Sequence, residues 1–220
     1  MKIDLLGFLV VFAIVLVSTV LHELMHGVVA YLLGDTTAKD SGRLSLNPFK
    51  HIDPYLSIAM PLALYLLGGP IFGGAKPVPV DTRKLKGGAW GMALVAIAGP
   101  LMNFLIALVT FLIGYATGVI TGVGGSLYMT GTVGYIVTEI VVINLGFCIF
   151  NLIPIPPLDG SRVLYALAPD GAREVMEKIE TRYGIIIVLI LVIILGSALS
   201  RLMTSGISAV LDFFSWMVGA

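Results

Sequence analysis

The chain has 220 residues, of which 58% are hydrophobic and 12% charged. That is about half the charged share of an ordinary soluble domain, and with a mean hydropathy of +1.02 it excludes a soluble globular fold and makes this an integral membrane protein. Thirteen basic and thirteen acidic residues cancel, and no basic stripe is present, which excludes a nucleic-acid partner. Cys148 is the only cysteine; it allows no intramolecular disulfide and reads as a small buried side chain.

Taken in chain order, the first apolar run covers about 5–33. It exceeds the length of a signal-peptide apolar region and has no small-residue cleavage pattern, so it reads as a retained span. A basic stretch, 34–88, follows. Within it an apolar segment, 55–75, is broken by Pro61, Gly68-Gly69-Pro70 and Gly73-Gly74. Spans are expected at 89–116, 133–153 and 184–204. Asp170 to Tyr183 reads as a short polar helix, with Glu174 and Lys178 one turn apart. The tail 206–218, with Asp212 among Phe213, Phe214 and Trp216, reads as an interfacial amphipathic helix. The fold class is therefore an all-α polytopic membrane protein with about four transmembrane helices, a re-entrant hairpin over 55–80 and an interfacial C-terminal helix. The length allows one membrane domain, 1–220, with no room for an appended regulatory module.

Charge sets the orientation. Loops 34–88 and 154–183 hold eleven of the thirteen basic residues, and 117–132 has no charged residue. The positive-inside rule puts both basic loops in the cytoplasm and both termini outside. A crossing at 55–75 would separate two basic flanks, whereas a re-entrant segment keeps them on one side. Irregular backbone at that depth must be buried in protein or line a wet cavity, although an ordinary interfacial helix pair also accounts for the segment.

His22-Glu23-Leu24-Met25-His26 lies inside the first span. An ionisable group there costs roughly 2.5 to 3.5 kcal/mol on insertion scales, so it marks function by default. Histidines four apart share one helix face and can ligate one metal ion, with Glu23 beside it to take a proton from water. The pattern points to zinc-dependent hydrolysis within the membrane. A catalytic zinc site needs a third protein ligand. Glu139 lies near the outer end of its span, whereas His26 is roughly 10 Å from the cytoplasmic end of the first, at 1.5 Å per residue. Asp159 fits the depth better, because Pro154, Pro156 and Pro157 end the third span and favour an extended run up to it. Two readings of Asp159 stand at this point: a metal ligand, or the N-cap of a helix at 160–168.

The set His22-Glu23-x-x-His26, Ala98-Gly99-Pro100-x-x-Asn103 and Asn151-x-x-Pro154-x-Pro156-Pro157-Leu158-Asp159-Gly160 resembles the site-2 protease family of intramembrane zinc metalloproteases over roughly residues 5–165. The resemblance implies one Zn2+ held by His22, His26 and Asp159, with Glu23 as general base and acid. It implies a transmembrane protein or peptide as substrate, membrane lipid as surroundings, and a prokaryotic plasma-membrane protein with its active site toward the cytoplasm. Residues 68–80 resemble the family's re-entrant hairpin, an edge that could hold substrate by strand addition. A helix before the metal-binding one and a PDZ-like or nucleotide-sensing domain are not expected. Asn103 is expected either at the substrate carbonyl or in helix–helix hydrogen bonding. Asn144 and Asn151, seven apart on one face, are expected to satisfy carbonyls near the proline break or the hairpin. His51 reads as a cytoplasmic loop residue. A zinc- or proton-coupled transporter is the competing class, since intramembrane ionisable groups also line ion paths.

Overall fold

The structure is a computed structural model that describes residues 5–66, 74–123, 126–129 and 131–219. Its first helix, α1 (Leu5–Leu32), is a 28-residue apolar run, about 42 Å long at 1.5 Å per residue. A short helix, α2 (Thr37–Asp40), follows, and then a 3₁₀ turn at Pro48–Lys50 whose first amides are capped by the Asn47 side chain. Pro54–Ala59 winds as a π-helical turn into α3 (Met60–Leu66), and residues 74–81 form neither helix nor strand, with Pro77 and Pro79 favouring an extended course. The expected re-entrant segment thus has a helical arm and an extended arm; its tip, with Gly68 to Gly73, lies outside the described residues.

The second long helix, α4 (Gly88–Ala116), contains Pro100. It is followed by a small antiparallel hairpin of β1 (Ile120–Val123) and β2 (Ser126–Met129), then by α5 (Gly131–Asn151) and α6 (Gly160–Leu167). Among the described residues, α1, α4 and α5 are the three helices long and apolar enough to cross a membrane. The expected spans 89–116 and 133–153 coincide with α4 and α5.

The stretch expected as a fourth span, 184–204, falls in two helices. It is divided between α7 (Asp170–Ile193) and α8 (Gly196–Val218), with the break at Ile194 and Leu195. The polar helix expected at 170–183 is the first half of α7. The break carries no proline, and Gly196 just beyond it is a weak helix former, so a hydropathy profile runs straight through it. The tail 206–218, expected as an interfacial helix, is helical but does not stand alone. Those residues continue α8, and Phe214 is fully buried.

Helix α4 is central and packs along α1, α5 and α6. One core cluster joins Ala107 and Phe111 of α4, Ile120 of β1, Val141 and Leu145 of α5, and Phe214 of α8. A second joins Ala30 of α1, Leu85, and Val95 of α4. Where transmembrane helices meet, close packing and hydrogen bonds hold them together, because lipid removes the hydrophobic drive.

Candidate metal centre

His22 and His26, one turn apart on α1, are both buried, with ring centroids 4.6 Å apart. Their Nε2 atoms face each other at 3.0 Å. Asp159 comes from the proline-rich run after α5, and its Oδ2 lies 3.1 Å from His22 Nε2 and 3.4 Å from His26 Nε2. Ligand atoms of all three residues fall within 4.8 Å of one another. The capping reading of Asp159 is not met: it stands at the start of α6, but its side chain makes no cap hydrogen bond. Glu139 is not part of the group.

The opposite nitrogen of each imidazole is occupied. His22 Nδ1 is 2.6 Å from Asn103 Oδ1, and His26 Nδ1 is 2.7 Å from the Val95 carbonyl. Facing oxygen acceptors, both Nδ1 atoms carry hydrogens as donors, which in the neutral imidazole leaves Nε2 with a lone pair. Two lone pairs and a carboxylate oxygen then point into one small space. Asp159 Oδ2 is buried and makes no hydrogen bond. Three convergent acceptors repel one another unless a cation lies between them, and a nitrogen–nitrogen–oxygen donor set suits zinc. The residues therefore fit the ion. Gly99 of α4 lets the imidazoles come this close to the helix: a Cβ there would stand 2.5 Å from His26 Nε2 and 2.6 Å from His22 Nε2.

Glu23 is half-buried, and its Oε2 accepts a hydrogen bond from the Val78 N–H at 2.8 Å. It shares with His22 a cavity of about 220 Å³ that Thr19, Met60, Ala75 and Asn151 also line. The extended arm is tied down elsewhere as well. Arg43 donates to the Lys76 and Pro77 carbonyls, Lys76 N–H donates to the His51 carbonyl, and Asp81 N–H donates to Asp35.

The three asparagines separate. Asn103 and Asn144 are fully buried and bonded to each other at 2.9 Å, and Asn103 bears directly on His22. Asn151 donates to the Phe147 carbonyl one turn back on α5 and faces the cavity. Sequence reasoning did not anticipate Ser18, which contributes both its hydroxyl and its carbonyl to the asparagine pair. Its spacing of four before His22 on one helix face was the available signal. His51 is fully buried against the Ser45 carbonyl and supports the loop.

The chain is similar to known proteins over most of its length. The model of the family described as "Peptidase family M50" matches residues 9–195. "Putative zinc metalloprotease YwhC" of Bacillus subtilis is 38% identical over 207 residues, covering 91% of this chain and 88% of its own. "Putative zinc metalloprotease Rip2" of Mycolicibacterium smegmatis is 31% identical over 187 residues, or 84% of this chain and 67% of its own. A shorter stretch of 70 residues, 32% of this chain and 31% of the relative, is 40% identical to "Putative zinc metalloprotease MJ0611" of Methanocaldococcus jannaschii. No solved structure is significantly similar to the chain.

Proposed function

The chain belongs to peptidase family M50, the site-2 proteases, and from that premise we propose that it cleaves peptide bonds in or beside transmembrane segments, with His22, His26 and Asp159 as zinc ligands and Glu23 as general base and acid. The observation that carries this reading is the convergence of ligand atoms from His22, His26 and Asp159 within 4.8 Å of one another, beside a cavity that His22 and Glu23 both line. Family membership supports a membrane zinc metalloprotease over a transporter.

When bound, zinc supplies Lewis acidity, which polarises the scissile carbonyl and acidifies the attacking water. The chain's own residues do the rest. Glu23 takes the proton from the water and returns it to the leaving amine. The Val78 N–H holds one carboxylate oxygen of Glu23 and so limits its rotation. Peptide bonds in a helix are shielded by their own hydrogen bonds, so the substrate must unwind locally before it can enter. The extended arm has few amide hydrogens to offer an incoming strand. Pro77 and Pro79 have none, and those of Lys76 and Val78 are engaged. The Gly74, Lys76 and Pro77 carbonyls are engaged as well, by Ser57 and Arg43, so strand addition on residues 74–80 would rest on the remaining backbone groups. The excess of basic residues in loops 34–88 and 154–183 supports an orientation with the centre toward the cytoplasm.

The test uses purified protein in lipid vesicles and a panel of transmembrane peptides. Wild type is expected to cleave at least one peptide, with activity removed by a chelator and restored by zinc. Glu23→Gln is expected to lower cleavage by roughly 10²- to 10⁴-fold while retaining one zinc per chain, and His22→Ala to lose the zinc. Undiminished cleavage by Glu23→Gln, or full zinc retention by His22→Ala, would overturn the assignment.

A further inference from the structure

A buried relay of hydrogen bonds with fixed polarity reaches the metal centre from α5. Asn144 Nδ2 donates to the Ile140 carbonyl at 2.8 Å and to Ser18 Oγ at 2.9 Å. Its Oδ1 accepts from Asn103 Nδ2 at 2.9 Å, which also lies 3.4 Å from the Ser18 carbonyl. Asn103 Oδ1 then accepts from His22 Nδ1. Asn103 and Asn144 have no solvent exposure, and Ser18 is 3% exposed, so water cannot satisfy a misplaced group.

An amide can sit either way round, and its neighbours decide which. Here the deciding groups are two backbone carbonyls, which only accept. Turning Asn144 over would set its oxygen against the Ile140 carbonyl and its NH2 against that of Asn103. Turning Asn103 over would set its oxygen against Asn144 Oδ1 and the Ser18 carbonyl. It would also present an NH2 to His22 Nδ1, which favours the imidazole tautomer with hydrogen on Nε2. That tautomer has no lone pair where the other two acceptors converge.

We propose that Asn144 is a positioning residue for the metal centre, which acts through Asn103 to hold His22 in the tautomer whose Nε2 is free to bind zinc. The proposal rests on the reading of His22 as a ligand. Without the Asn144 side chain, the Asn103 amide keeps only the longer contact to the Ser18 carbonyl, and its orientation is no longer imposed. A carboxylate at position 103 has no N–H, so it can only accept from His22 whatever occupies position 144.

The experiment is zinc affinity, measured by chelator competition on the full chain in detergent. Asn144→Leu is expected to weaken zinc binding about 10- to 100-fold, the range seen when a group supporting a ligand is lost. In an Asn103→Asp background the same change is expected to shift affinity by less than about threefold, since the two positions act on one path. Unchanged affinity in Asn144→Leu, or an equal loss in both backgrounds, would overturn the proposal. Nitrogen-15 spectra of labelled histidine in the metal-free wild type give a second reading that needs no variant: His22 with hydrogen on Nδ1 is expected, and hydrogen on Nε2 refutes the relay. Zinc retained by His22→Ala would instead refute the ligand assignment, so the two failures are distinguishable.

Discussion

Gly99 shows how one residue can decide whether the centre exists. In the sequence it reads as a small residue that lets helices approach and bend beside Pro100. In the structure the approach is to imidazoles: a methyl group there would intrude within 2.6 Å of both Nε2 atoms, into the space the ion needs. Gly99→Ala is therefore expected to weaken zinc binding by at least about tenfold with the helices retained, as read by metal content after dialysis alongside far-ultraviolet circular dichroism. Asp159 carries the opposite lesson. Its two readings, cap and ligand, could not be separated by spacing because both put an Asp before Gly160. Burial of Oδ2 beside two imidazoles and the missing cap bond separate them. Gly160 helps hold it there, since a Cβ would come 2.3 Å from the Leu152 carbonyl oxygen.

At the scale of elements, the join between α1 and the extended arm matters most, because it sets Val78 against Glu23. Asp35, just beyond α1 and fully buried, accepts from Thr37 N at 2.9 Å, Thr37 Oγ1 at 2.5 Å and Asp81 N at 2.7 Å. Burial alone pushes its carboxyl up. The hydrogen bonds from Thr37 and Asp81, with the Lys84 ammonium, outweigh that and hold it below its ordinary value. A carboxyl depressed in the folded state stabilises fully above its unfolded pKa of about 3.9, and that contribution is lost as pH falls through the lower folded value. Asp35→Asn is expected to cost about 1–3 kcal/mol at neutral pH, the penalty for disturbing a buried hydrogen-bonded group. The gap between wild-type and variant thermal midpoints should close as pH falls below about 4, which a pH series in detergent would measure. Position 35 gave no such signal in the sequence, because its partner Asp81 is remote along the chain. The α7–α8 break was hidden for a different reason: both sides are apolar, and hydropathy measures solubility in lipid without marking where a helix stops.

For the whole molecule, the metal centre and the main packing cluster occupy separate levels of α4. Phe111 lies twelve residues beyond Gly99, roughly three turns along the helix. There it packs with Leu145 and Phe214 and joins α4, α5 and α8. Phe214→Ala is expected to lower the thermal midpoint in detergent, by about 1–3 kcal/mol. This is less than for a soluble core, because dispersion contacts are lost and little water-transfer energy is involved. Zinc affinity should stay within about threefold of wild type, since sites this far apart act independently.

The sequence by itself determined the membrane class, three of the long helices and the metalloprotease family, and it named candidate residues for the zinc site. Those features are written in local patterns: apolar runs of spanning length, histidines four apart, and prolines that end a helix before Asp159. Only the tertiary structure decided which way each group faces. The close approach of Gly99 to both imidazoles, the unbonded oxygen of Asp159, the Val78 amide on Glu23 and the carbonyl-anchored asparagine relay all join residues distant in the chain. Hydrogen-bond direction and close contact in such places depend on how α1, α4 and α5 pack, and no residue spacing encodes that packing.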